Sequence, residues 1–305
     1  MKVRVLGSAA GGGFPQWNCG CDNCRDVRRG SPGLRARMEE SIVVSADSRS
    51  WFLVNASPDV RRQFESFPVL EPGARRGCPV DGIILTNGDL DHCLGLLVLR
   101  ESEPLAMYAT SRVRDGFTED NVLYRTLQRF PGQVTWHELA LGKPVSLSSR
   151  NGTDAGLTVE AIAVPGKLPI HLEGRTAPHA EDNVGLLIRD VSTGRTIAYL
   201  PAVSGPSREI DRFMTADCVF FDGTFWSDDE LVRRGLGEKR ARDMAHWPIG
   251  GDEGSLAFLG TKAGRRRVYI HINNTNPMLG EDSAEAAAVR AADVEIAYDG
   301  MEVDV

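Results

Sequence analysis

The chain has 305 residues, 42% of them hydrophobic and 25% charged, with 35 basic against 42 acidic side chains and a formal net charge of −7. Such a balance lacks the basic footprint of a nucleic-acid binder, and the composition is that of a globular protein rather than a disordered one. No apolar run approaches the roughly 18 residues of a membrane span, and Met1-Lys2-Val3-Arg4-Val5-Leu6 is too short and too charged for a secretory core segment. These features predict a cytoplasmic protein with no nucleic-acid or membrane partner. The short clusters Arg28-Arg29, Arg233-Arg234 and Arg265-Arg266-Arg267 read as solvated surface.

Short runs rich in β-branched residues predict strands over 3–6, 41–45, 51–55, 82–85, 105–109, 157–162, 184–189, 196–200, 218–221 and 268–272, then 294–297 and 301–303. Several are apolar at nearly every position, as in strands covered on both faces. Helical patterns fall over 60–67, after Pro58 at a permissive first-turn position, and over 93–100, 119–129, 254–260 and 283–292. Many strands with scattered helices and no strict βαβ alternation predict an α/β fold of two mixed sheets packed face to face, helices outside. Neither a linker nor an internal repeat divides the sequence, so residues 1–305 are expected to form one domain.

Gly7-Ser8-Ala9-Ala10-Gly11-Gly12-Gly13 follows a strand in the manner of a dinucleotide loop. A Rossmann loop opens a helix, however, and here Phe14-Pro15-Gln16-Trp17 follows. The expectation is close backbone packing beside a pocket. Cys19-Gly20-Cys21-Asp22-Asn23-Cys24 then places three thiols within six residues. Converging thiolates suit a structural Zn²⁺ that takes a fourth ligand from elsewhere, with a redox role as the alternative. Cys78, Cys93 and Cys218 read as small buried hydrophobes.

The segment Ile83-Ile84-Leu85-Thr86-Asn87-Gly88-Asp89-Leu90-Asp91-His92, followed by Gly95, is a buried strand entering a polar loop. It resembles the metallo-β-lactamase signature, with Asn87 and Asp89 where two histidines usually stand and with Asp91 and His92 matching. By the same likeness His179 fits the third motif, Ala202 stands in place of the metal-bridging aspartate, and His271 fits the last. One metal is expected, held by Asp91, His92 and His271, with Asp89 as a further candidate. Two imidazoles and a carboxylate suit non-haem Fe(II) with open positions, and Zn²⁺ accepts the same set. Asp222 and His246 resemble the carboxylate–histidine pair of the tRNase Z branch, which suits proton transfer. His137 and His171 fit no frame and read as surface residues.

The cysteine turn, the altered signature, the opening from Gly7 to Cys19, Asn55-Ala56-Ser57-Pro58-Asp59, Asp222-Gly223-Thr224 and His271-Ile272-Asn273-Asn274-Thr275-Asn276-Pro277 together resemble the pyrroloquinoline quinone (PQQ) biosynthesis protein B family, nearly end to end. The resemblance implies a metallo-β-lactamase αββα sandwich, a homodimer with the structural zinc near its contact, and a role in PQQ biosynthesis. It further implies iron- and O₂-dependent hydroxylation of the tyrosine ring in a cross-linked Glu–Tyr unit cut from a precursor peptide. On that reading Asp89, Asp91, His92 and His271 are iron ligands, and Zn or Mn can replace the iron. His179, Asp222 and His246 hold substrate or move protons. Asn274 stands where a relative's fourth zinc ligand would be, although an amide is a weak one. A non-catalytic carrier of the quinone or its precursor is the alternative, and a residual two-metal hydrolase a second one.

Overall fold

Side chains leave successive positions of a strand on opposite faces, and the first strand already divides itself between two cores. In β1 (Lys2–Gly7), Val3 and Val5 enter one apolar cluster and Leu6 another. The computed structural model describes residues 1–72, 75–101, 103–119, 121–261 and 265–305. After β1 come β2 (Ser41–Ser45), β3 (Phe52–Val54), β4 (Gly82–Ile84), β5 (Leu105–Ala109) and β6 (Val134–Glu138). The next run is β7 (Val145–Ser148), β8 (Asp154–Ala163), β9 (Val184–Asp190), β10 (Thr196–Leu200), β11 (Cys218–Asp222), β12 (Arg266–Ile270) and β13 (Glu295–Ile296), and β14 (Glu302–Asp304) closes the chain.

Two seven-stranded sheets result, in the orders β14-β1-β2-β3-β4-β5-β6 and β13-β12-β11-β10-β9-β8-β7. Pairing is antiparallel from β14 to β3 and parallel from β3 to β6. In the second sheet it is antiparallel from β7 to β10 and parallel from β10 to β13. The sheets therefore repeat one topology, a duplication with no counterpart in a sequence repeat.

Val5, Ile42, Val54 and Ile84 meet Val159, Leu186, Tyr199 and Ile270 between the sheets. Outside the first sheet, Leu53, Ile83 and Met107 pack on Val60, Leu96 and Val113 of the helices Val60–Glu65, Gly95–Val98 and Ser111–Thr118. Outside the second, Val219, Phe221 and Tyr269 pack on Ile210, Leu259 and Val289 of Arg208–Phe213, Ser255–Gly260 and Ala284–Ala291. This is the expected αββα arrangement, and it explains strands that are apolar on both faces.

Two strands escaped the sequence reading. β6 and β7 are the outer strands of their sheets and only partly buried, so polar residues interrupt the β pattern. The helices Asp22–Arg28, Ser111–Thr118 and Arg208–Phe213 were also unforeseen, having only six to eight residues each. The expected helix over 93–100 is two short ones, Leu90–Cys93 and Gly95–Val98. In place of 119–129 there is a 3₁₀ segment at Val122–Gln128, and residue 120 lies outside the described residues.

Candidate metal centre

The carboxyl ends of β4, β11 and β12 deliver the polar groups, as open α/β sheets commonly do. Donor atoms of Asp91, His92 and His271 all lie within 4.8 Å of one another. Asp91 Oδ2 is 3.2 Å from His271 Nε2 and 3.9 Å from His92 Nε2. The helix carrying Asp91 and His92 is pressed onto the 55–57 loop, where the Ala56 N–H donates to the His92 carbonyl. A Cβ at Gly95 would fall 2.2 Å from the Ser57 carbonyl oxygen, so only glycine permits that approach. His271 follows β12 at φ 59°, a left-handed conformation rare for a side chain with a Cβ and characteristic of functional sites. The glycine-rich opening becomes a pocket wall: a Cβ at Gly11 would stand 3.0 Å from Asp91 Oδ2.

Hydrogen bonds behind the imidazoles set which nitrogen faces the centre. Asn183 Nδ2 donates to the Ala202 carbonyl (2.9 Å) and Asn87 Nδ2 donates to Asn183 Oδ1 (3.1 Å). Asn87 Oδ1 is therefore an acceptor 2.8 Å from His92 Nδ1, so Nδ1 carries the proton and Nε2 keeps its lone pair. Thr224 Oγ1 gives its single proton to Asp222 Oδ1 at 2.6 Å and so accepts from His271 Nδ1 at 2.8 Å. His271 Nε2 is thereby turned inward, as metal-ligating imidazoles require. Asn87 and Ala202, which stand where ligands of a second metal would be, serve this relay instead.

Asp222, His246 and His271 form a second group with donors within 4.8 Å. Asp222 is saturated: it accepts from the backbone N–H of Val203 and Thr224, from Thr224 Oγ1 and from His246 Nδ1 at 2.8 Å. The His246 ring stacks on His271 with centroids 5.4 Å apart and 25° between planes. A pocket of ≈ 310 Å³ opens over these groups, lined also by Asp89, Lys167, Phe225 and Met244.

Burial alone would lower the His271 pKa, but the hydrogen bond and charge of Asp91 outweigh it and raise it to about 9. Burial would raise Asp91, yet the charge of His92 and the His271 hydrogen bond hold it well below the usual carboxylate range. Burial pulls His92 down to about 4 and pushes the wholly buried Glu40 up to about 8. Asp222 is held low against its burial by the charge and hydrogen bond of His246.

Two expected members behave differently. Asp89 lines the pocket, raised by burial and by the charge of Asp91, but does not join the converging set. His179 is exposed and does not line the pocket: its N–H donates to Asp182 Oδ2, and its Nδ1 accepts from the Glu181 N–H. The correction has a local cause. The turn before β9 is closed by these bonds and holds His179 in solvent, while Asn183, four residues on, is the side chain that enters the site. His137 and His171 are exposed, as expected. Sequence reasoning missed Glu40, Thr224 and Asn183. An acidic pair, Glu39-Glu40, abutting the apolar run Ile42-Val43-Val44 was the one available signal.

The thiols of Cys19, Cys21 and Cys24 converge within 4.8 Å at the start of the helix Asp22–Arg28. Burial pushes Cys21 up to about 12, whereas Cys19 is lowered against its partial burial by the Cys21 N–H. Asn274 Nδ2 lies 3.3 Å from Cys24 Sγ and 3.7 Å from Cys21 Sγ, and its backbone carbonyl accepts from Asn23 Nδ2. The amide thus sits at the fourth position but presents nitrogen, which is a hydrogen-bond donor; only the flipped amide offers a ligand oxygen. Three close thiols are the donor chemistry of a zinc turn.

Residues 50–272 match the beta-lactamase superfamily domain. The chain is 42% identical, over the whole of both chains, to coenzyme PQQ synthesis protein B of Azotobacter vinelandii, and 38% identical, again over both entire chains, to that of Acinetobacter baumannii. It belongs to the coenzyme PQQ synthesis protein B family. The crystal structure of Zn(2+)-bound PqqB from Methylobacterium extorquens superposes with a TM-score of 0.91 at 38% identity, covering all of both chains. A diphosphatase of the PhnP family, covering 100% of this chain and 97% of its own at 19% identity and a TM-score of 0.66, shares the fold. The family relative's zinc agrees with the metal-competent clusters found here.

Proposed function

We propose that the chain acts in PQQ biosynthesis as an Fe(II)- and O₂-dependent hydroxylase of the tyrosine ring in a peptide-derived Glu–Tyr unit. What supports this reading is a single set of free donors, Asp91, His92 and His271, since Asp222 in the second group is already saturated with hydrogen bonds. Asn87 and Ala202 are committed to the hydrogen-bond relay behind His92, so the bridging hydroxide of a two-metal hydrolase has no support. Asp91, His92 and His271 would hold the ion, and their two-imidazole, one-carboxylate set leaves positions open toward the pocket. When bound, Fe(II) supplies the activation of O₂.

The remaining work falls to the chain's own residues. Asp222 fixes the proton of His246 on Nδ1 and leaves Nε2 free to take or return a proton at the pocket. Phe225, edge-on to His246 with centroids 5.9 Å apart, gives an aromatic substrate an apolar wall. Lys167 brings a positive charge to the pocket for a substrate carboxylate. Anaerobic loading with Fe(II), addition of O₂ and a Glu–Tyr substrate, and mass spectrometry test the reading. The expected result is a gain of oxygen that His92→Ala abolishes. Tight binding of substrate or quinone with no oxygen gain would replace the hydroxylase by a carrier.

A further inference from the structure

Glu40 lies just before β2 with its side chain 1% exposed. Its position is fixed from behind. Asn55 Oδ1 accepts from the Thr86 N–H and hydroxyl, each at 3.1 Å, so Asn55 Nδ2 points to Glu40 Oε2 at 3.2 Å. The other oxygen, Oε1, is buried and has no hydrogen-bond partner. His92 Nε2 is likewise buried without a hydrogen-bond partner and stands 3.4 Å from Glu40 Oε2.

Those two atoms cannot satisfy each other as neutral His92 and carboxylate Glu40, and their 3.4 Å contact lacks the geometry for a protonated Glu40 to donate across it. The Asn87 relay places the His92 proton on Nδ1, so Nε2 offers only a lone pair, and a carboxylate oxygen offers only lone pairs as well. Two buried acceptors facing each other are costly. A cation between them removes the cost. Their separation also fits: donors about 2.0–2.2 Å from one ion at tetrahedral angles lie about 3.3–3.6 Å apart.

We propose that Glu40, which contacts His92 but stands outside the set whose donors all lie within 4.8 Å of one another, moves in as a further protein ligand of the active-site metal from the His92 side. The ion would then sit among two carboxylates and two imidazoles, and the His271–Asp91 hydrogen bond would give way to it. A site with this mixed oxygen and nitrogen donor set suits hard to borderline divalent cations such as Mn(II), Fe(II) or Co(II) better than the soft ions that thiolates select. This inference rests on the centre's being a metal site, not on hydroxylation, and its test involves no turnover.

The full-length protein, with zinc left in its cysteine turn, is titrated with Co(II) in competition with a chelator while the visible d–d bands are recorded. Glu40→Gln keeps the size and the Asn55 contact and removes the charge. It is expected to weaken Co(II) by more than the roughly 10–100-fold that an outer-shell partner is worth, and to change the d–d bands as solvent replaces a carboxylate. Its metal-free melting temperature should equal or exceed that of the unmodified protein. D–d bands identical to those of the unmodified protein, whatever the affinity, would overturn the proposal, because they mean that Glu40 never touches the ion. Glu40→Asp is the second variant if Glu40→Gln does not fold: it retains the charge on a shorter arm, and unchanged bands and affinity overturn the proposal equally.

Discussion

The cysteine turn and the Asp91–His92–His271 centre are built on opposite plans. In the first, three of the groups come from six consecutive residues, and only Asn274 arrives from far along the chain. In the second, Asp91 and His271 are 180 residues apart, and beside Asn87 in the Asp91 loop the backing groups Asn183 and the Asp222–Thr224 pair come from two more places in the chain. A local turn brings ligands together by backbone geometry alone. A distributed centre needs both sheets to be folded and in register first, so its integrity reports on the whole domain packing.

Substitutions in the two regions should separate cleanly. The largest effect is expected for His92→Ala or His271→Ala: on the proposed reading the active-site ion is lost and hydroxylation falls to background, while metal analysis still finds an ion in the cysteine turn. His246→Asn should keep both ions and lower turnover by about 10²–10⁴-fold, the range for a general acid–base group. Thr224→Val and Asn87→Ala remove the hydrogen bonds that orient His271 and His92, so each should weaken the active-site metal by about 10–100-fold, read by chelator competition.

Cys24→Ser acts on the other side of the comparison. It should release the turn's zinc and lower stability by several kcal/mol, a fraction of the about 10–16 kcal/mol seen when zinc folds isolated finger peptides. Per loaded active centre, activity should change little. Loss of both metals together would mean that Asn274, three residues beyond His271, couples the regions tightly.

The smallest effect is a pH dependence of the metal-free protein. The folded pKa of His271 is raised from 6.5 to about 9, so its contribution is complete below about 6.5 and is lost as pH rises through about 9. Glu40, raised to about 8, adds a cost in the same direction as it ionises in place. His92, lowered to about 4, contributes above about 6.5 and loses that contribution as pH falls through about 4. Denaturant midpoints of the metal-free protein should therefore decline from pH 6.5 to 9, and metal affinity should rise over that window as protons leave the ligands. A flat profile would break the assignment of the His271–Asp91 pair.

Much of the layered fold was legible because burial on two faces leaves uninterrupted apolar runs, as at residues 218–221 and 268–270. The edge strands β6 and β7 were not, since half-exposed positions tolerate polar residues and erase the period. Within the site, Asp91, His92, His271 and the Asp222–His246 pair were readable from strand-end position and motif register. His179 was misplaced because a register count cannot tell which side chain of a turn points inward, and the turn's own hydrogen bonds give that place to Asn183.

The sequence by itself determined the cysteine turn, the donor types and the loss of second-metal ligands at Asn87 and Ala202, because each depends on residue identity at short range. Only the tertiary structure decided what replaced that metal: an amide relay from the Ala202 carbonyl through Asn183 and Asn87 that orients His92. It also brought Glu40 to face His92. Both depend on the direction of hydrogen bonds between segments that are remote in the chain, and those directions exist only once the sheets have packed and excluded water.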